Sequence, residues 1–138
     1  MKIMYVSPSN IGACWPMFKE YAERVLPLTR KRRCATRFLF DLMNNQEMLW
    51  VVAGDDGKVI GFCSSAFVEY DEVKLLQVRM LAGDFFSEWI EDMHSLLEKF
   101  AHENNCDGLE LIGRRGWVRK LERFGWREAF ITVEKRFT

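Results

Sequence analysis

Residues 73–126, VKLLQVRMLAGDFFSEWIEDMHSLLEKFAHENNCDGLELIGRRGWVRKLERFGW, decide the fold. Their pattern predicts a strand over Val73–Leu81, a long helix over Asp84–Asn104, a strand at LELI and a short closing helix in GRRGWVRKLERFGW. In the long helix Phe86, Trp89, Ile90, Met93, Leu96, Leu97, Phe100 and Ala101 recur at steps of three and four, and Glu91, Asp92, Ser95, Glu98 and His102 fall opposite. Asp84 and Ser87 are candidate N-caps, and Asn104-Asn105 with Asp107-Gly108 supplies the stop. A helix about 30 Å long between two apolar strands is the crossover that a parallel strand pair requires.

Outward from that unit, Lys2–Val6 reads as a first strand and Ser7-Pro8-Ser9-Asn10 as a turn. Two helices are expected next. The first runs from about Asn10 to Leu26 with Trp15, Phe18, Tyr21, Ala22 and Val25 inward, and Pro16 can delay its regular start. The second spans Thr29–Asn44 with its arginines outward, an amphipathic basic surface that suits a membrane face or an acidic partner as well as plain solvent. Leu49–Ala53 and Val59–Val68 form a hairpin around Gly54-Asp55-Asp56-Gly57-Lys58, so Asp55 and Asp56 read as turn residues and not as a metal pair. Gly61 marks a bulge or a close backbone approach. Ala129–Phe137 alternates like a last strand. The expected order is β-α-α-β-β-β-α-β-α-β, an α/β (α+β) mixed sheet with helices on both faces, in one domain spanning 1–138.

With 49% hydrophobic and 14% aromatic residues the chain has ample material for a core. No run approaches a membrane span, and MKIMYVSPSN lacks the apolar stretch of a secretory signal, so a cytoplasmic location is expected. Cys14, Cys34, Cys63 and Cys106 form no CxxC pair and read as free, buried thiols; no metal site is expected. His94 and His102 sit on the polar helix face and read as exposed. The five tryptophans fit core positions better than a base-stacking platform. The net charge of zero makes nucleic acid an unlikely partner. Arg30, Lys31, Arg32, Arg33 and Arg37 nevertheless form one basic cluster, and Arg114, Arg115, Arg119, Lys120, Arg123 and Arg127 another. Arg30, Arg32, Arg33, Arg37, Arg115 and Arg119 are the candidate binding surface.

The hairpin VVAGDDGKVIGFCSS, the strand with its long helix, and the closing helix with Phe124-Gly125-Trp126 together resemble the GNAT family of N-acetyltransferases over nearly the whole chain. In that family a loop Q/R-x-x-G-x-G/A before the long helix holds the pyrophosphate of acetyl-CoA on backbone amides. Here the resemblance puts Phe85, Phe86, Ser87, Glu88, Trp89 and Ile90 at that loop, with Glu88 and Ile90 in place of glycines. A carboxylate repels the pyrophosphate and bulky side chains screen the amides. Leu121 falls where many members carry a tyrosine acid, and Arg114 where an asparagine contacts the cofactor.

GRRGWVRKLERFGW and the terminal EKRF also resemble small GNAT-like proteins of bacteriophages. Gly113 and Gly116 permit a sharp turn there, and Arg114 with Arg115 could hold a phosphate or carboxylate.

Two functions follow from these resemblances. The first is a non-catalytic, phage accessory or virion-associated protein that binds phage structural or host proteins and has no cofactor. The alternative is an active acetyl-CoA-dependent N-acetyltransferase. In it Asp84 or Glu88 takes the amine proton, while Phe85, Phe86, Ser87 and Arg114 meet the cofactor.

Overall fold

The computed structural model describes residues 1–137. Five strands, β1 (Lys2–Val6), β2 (Met48–Ala53), β3 (Val59–Glu69), β4 (Lys74–Gly83) and β5 (Gly108–Leu111), lie in that spatial order in one sheet. The first four are antiparallel neighbours and β5 runs parallel to β4. The helices are α1 (Ile11–Val25), α2 (Ala35–Met43), α3 (Phe86–Glu103) and α4 (Gly116–Leu121). The α3 crossover between β4 and β5 forms as the apolar periodicity requires.

Each sheet face has its own core. Ile11, Phe18 and Ala22 of α1 and Phe38 and Leu42 of α2 pack on Leu49, Val51, Phe62 and Met80. Trp89, Met93, Leu97 and Ala101 of α3 pack on Trp50, Val52, Cys63, Leu76 and Val78. Leu76 and Val78 thus face α3, whereas Met80 faces α1 and α2. The change of side comes from a bulge: Ser64 pairs with Met80 and Ser65 with Val78, so Arg79 is the extra residue of β4.

Five expectations need correction. Residues 126–137 carry no regular secondary structure, so the last strand does not form. Alternation alone makes a strand only where an edge receives it. Here the Trp126 indole donates to His94 Nε2 at 2.8 Å, and Arg30 and Arg32 both hold the Glu134 carboxylate. These two anchors keep the segment off the β5 ladder. The second helix is shorter than expected, because Leu26–Thr29 is a 3₁₀ turn and Arg30 and Lys31 adopt left-handed conformations before α2 starts at Ala35. Pro16 does not delay α1, which begins at Ile11 and carries the proline inside it. His94 is buried, stacked on Phe124 at 4.4 Å, and is not an exposed histidine. Cys34 is exposed, although all four thiols are free.

Gly61 makes the close approach its position suggested. A Cβ there would lie 2.8 Å from Trp89, and one at Gly83 would lie 2.5 Å from the Gly61 Cα. The two glycines face each other across β3 and β4, the Trp89 ring lies over them, and its Nε1 donates to the Asp84 carbonyl at 2.8 Å. Gly83 also has φ +155°, so a side chain is penalised twice. Gly83→Ala is expected to lower the unfolding free energy by at least about 2 kcal/mol, read by urea denaturation. A change within experimental error would mean that the loop relaxes freely.

His94 gives a second stability test. Burial holds its imidazole below the ordinary value of 6.5, against the opposing pull of Glu98. Only the neutral ring accepts the Trp126 indole, so the folded state binds fewer protons than the unfolded chain. The contact contributes fully above the unfolded value and is lost as pH falls through the lower folded value. Tm is therefore expected to fall between about pH 7 and pH 5, and to fall less in His94→Asn.

Candidate functional site

β4 and β5 pair only from Leu75–Gly108 to Val78–Leu111. Beyond Val78 the strands part, and β4 continues through Arg79 to Gly83 with β3 alone as its partner. The other edge of that stretch faces a parting that begins at the bulge. Only Asp84 and Phe85 connect β4 to α3, with Phe85 left-handed at φ 56°.

On the α1 and α2 side, polar residues form a row across the sheet next to this parting. Gln77 stands opposite Ala66 on one side and Glu110 on the other, and Glu47 comes just before Met48, the partner of Ser65. The Glu47 side chain has no solvent exposure. Arg33 Nη2 reaches it at 2.7 Å and Arg79 Nη1 at 3.7 Å. Arg79 Nε donates to Gln77 Oε1 at 2.9 Å, Gln77 Nε2 donates to Glu110 Oε1 at 2.8 Å, and the Tyr70 hydroxyl donates to the same oxygen at 2.6 Å. The result is one continuous chain, Arg33–Glu47–Arg79–Gln77–Glu110–Tyr70. Its buried end is compensated by guanidinium groups, as a buried carboxylate must be. Its outer end carries the half-buried Glu110 carboxylate, and the bond to Glu110 raises the Tyr70 phenol above its ordinary value. Beside the bulge the Ser64 and Ser65 hydroxyls are buried with no partner among the described residues.

The residues singled out from sequence take other places. Asp84 accepts from Arg24 at 3.0 Å and from Tyr21 at 3.1 Å, and these bonds hold its carboxyl below the usual range. That makes it a poor proton acceptor and an effective anchor between α1 and the β4–α3 connection. Glu88 and Ile90 belong to α3 itself, not to the loop; Glu88 is exposed and Ile90 buried. Phe86 packs edge-on against Trp89 and Trp117, and the Lys120 ammonium lies over the Phe86 and Trp117 rings. Phe85 and Ser87 are exposed at the start of α3. Arg114, Arg115 and Arg119 are exposed, Arg115 lying 3.9 Å from Glu128. Leu121 is buried.

The basic cluster is not a uniform outward surface. Arg33 is an interior ion-pair residue, Arg30 and Arg32 clasp Glu134, and Arg37 donates to Asp41 at 3.0 Å. Hydrogen bonds from Arg30, then Arg136 and Arg32, hold the Glu134 carboxyl down at about 2. Among the described residues no cluster of His, Cys, Asp or Glu side chains is placed to hold a metal, and no helix is long and apolar enough to cross a membrane.

The sequence reading passed over Glu47, Tyr70, Gln77, Arg79 and Glu110. A signal was there: Gln77 and Arg79 interrupt the apolar run KLLQVRML two residues apart, and Glu110 interrupts LELI. Polar side chains at such spacing on a buried strand share a face and need partners.

The backbone has been seen before. A crystal structure of a probable acetyltransferase superposes with a TM-score of 0.74 at 12% identity, covering 100% of this chain and 99% of that one. The fold is GNAT-like. A ribosomal-protein-alanine N-acetyltransferase from Brucella melitensis matches at TM-score 0.72 and 16% identity over 99% and 100% of the two chains. A predicted acetyltransferase from Clostridium acetobutylicum, solved with acetyl-CoA, matches at 0.70 and 13% over 98% and 95%. No protein-family model and no curated protein matches the sequence. The Clostridium structure overturns the expectation of no cofactor, because a chain of similar fold is there solved with acetyl-CoA.

The polar row gives a direct test. Glu47→Ala would leave Arg33 facing an uncompensated interior and is expected to cost about 3 kcal/mol in chemical denaturation. Glu110→Gln keeps the shape and both donors at the half-buried end, and a loss below about 1 kcal/mol is expected. Equal losses would contradict the division into a structural and an available carboxylate.

Proposed function

We propose that this chain is an acyl-CoA-dependent N-acyltransferase whose acceptor amine meets Glu110 on the α1 and α2 side of the β4–β5 parting. The observation that carries this is the conjunction of an unpaired β4 edge with a compensated polar row ending in an available carboxylate. The likeness to solved acetyltransferases supports the reading at the level of the fold.

The residues fit acetyl-CoA well at one end and differently at the other. The backbone of Arg79–Gly83 offers unpaired groups to an extended thioester arm. At the phosphate end the two-residue connection replaces the six-residue glycine motif, leaving the first amides of α3 at Phe86 and Ser87, with the Lys120 ammonium over the Phe86 ring. The Asp84 carboxylate is paired with Arg24 and hydrogen-bonded by Tyr21, whereas Glu88, the carboxylate expected to repel a phosphate, stays exposed in the first turn of α3. When bound, the cofactor would supply the acyl group as a thioester.

The chain's own residues do the rest. Glu110, fixed by Gln77 and Tyr70, faces the acceptor and takes a proton from its amine, directly or through one water. Arg79, tied to Gln77 and Glu47, keeps the row in place at the bulge. Positioning of the amine supplies most of the remaining advantage.

One observation favours a second function, a scaffold without catalysis. The Phe86–Trp117 contact joins α3 to α4 across the parting, and a ligand entering from that side must displace it.

Acetyl-CoA titrated into the purified chain is expected to bind with micromolar affinity, and release of free thiol is expected to depend on an added primary amine. Glu110→Gln should bind acetyl-CoA as before while kcat drops about 100-fold. Binding without amine-dependent thiol release would favour the scaffold, and no binding would remove the transferase.

A further inference from the structure

One residue breaks three local rules at once and gains nothing from the packing of the fold in return. Phe85 is left-handed at φ 56°, a region that costs a bulky side chain free energy and that glycine or asparagine enters with little strain. Asn45 and Asn105 take the same region at φ 58° and φ 59°. Phe85 also stands at the N-cap of α3, where an asparagine, aspartate or serine side chain would accept an amide of the first turn and a phenyl ring accepts none. Its side chain is 63% exposed and belongs to neither core.

The strain is held in place by the residues on either side. The Asp84 amide donates to the Ile60 carbonyl at 2.7 Å, the Asp84 carbonyl accepts from the Trp89 indole at 2.8 Å, and the Asp84 carboxylate is bonded to Arg24 and Tyr21. The Phe85 carbonyl accepts the Glu88 amide at 2.9 Å. A costly conformation fixed this fully, with a large apolar group presented to solvent, points to a ligand contact.

The position of Phe85 says which part of a ligand it meets. It directly precedes the first α3 amides, at Phe86 and Ser87, and the Lys120 ammonium lies over the Phe86 ring. On the transferase reading, on which this inference rests, the thioester arm runs along Arg79–Gly83, so the part of acyl-CoA beyond the phosphates is its nucleoside. A purine base is flat, and its stacking on an exposed aromatic ring needs no hydrogen-bond partner. The exposed Glu88 carboxylate in the same turn opposes the phosphates but does not oppose such a stack.

We infer that the Phe85 ring stacks on the adenine of acyl-CoA, and that the chain carries a strained aromatic at this position for that contact. Calorimetric titration and thermal unfolding of the full chain and two variants test it. Phe85→Asn is expected to raise Tm by about 4 °C, because strain is relieved and a cap gained, while acetyl-CoA binds about tenfold more weakly. The same variant should bind S-acetyl-phosphopantetheine, which lacks the adenosine, as the native chain does. Phe85→Tyr keeps the ring and should keep the native affinity for acetyl-CoA. A lower Tm in Phe85→Asn would make the ring a packing group and overturn the inference. So would an unchanged affinity for acetyl-CoA, or an equal loss with both thioesters. A native chain that binds no acetyl-CoA would remove the transferase reading itself, and this inference with it.

Discussion

A carboxylate with no access to water constrains this molecule more than any other single group. Glu47 sits at the entry to β2, and an ionised carboxyl there is tolerable only with guanidinium groups against it. Arg33 arrives from the turn before α2, and Arg79 arrives from the bulge in β4. One interior charge thus fixes the approach of α2 to the sheet and gives the extra residue of β4 a task. The bulge in turn switches β4 from packing under α3 to packing under α1 and α2, and the strand leaves β5 beyond it.

The opening between β4 and β5 is a consequence of that geometry. Its floor is backbone, its α1 and α2 side is a hydrogen-bonded polar row, and its other side is aromatic, with Phe86, Trp89 and Trp117 in contact. Two glycines make the aromatic side possible, since only bare backbone at Gly61 and Gly83 lets Trp89 lie so close. Polarity on one side and aromatic packing on the other suit a site that takes a charged acceptor from one direction and a long thioester from the other.

Most of the fold was legible because its elements are periodic. The long helix shows its buried stripe from Phe86 to Ala101, and the hairpin shows both its alternation and its turn. The terminal segment misled for the same reason: Ala129–Phe137 has strand periodicity, but whether it joins a sheet depends on long-range anchors at His94 and at Arg30 and Arg32. Arg30 to Arg33 looked like one basic surface in sequence, yet these residues divide between an interior ion pair and a clasp on Glu134, more than 100 positions away. The candidate site was harder still. Gln77 and Arg79 come from β4, Glu110 from β5 and Glu47 from the turn that enters β2, and only sheet register, shifted by one residue at the bulge, lines them up. Asp84 was visible as a carboxylate in the right place, but its ion pair with Arg24 and its hydrogen bond from Tyr21, some 60 residues earlier, were not.

Ligand that enters the parting of β4 and β5 will register in backbone amide shifts recorded by nuclear magnetic resonance during addition of acetyl-CoA. The largest changes are expected at Arg79–Gly83, Phe86 and Ser87, with a smaller response at the Gln77 side-chain amide. Changes confined to the aromatic cleft lined by Tyr5, Trp50, Phe67 and Phe100, with Arg79–Gly83 unmoved, would contradict that placement.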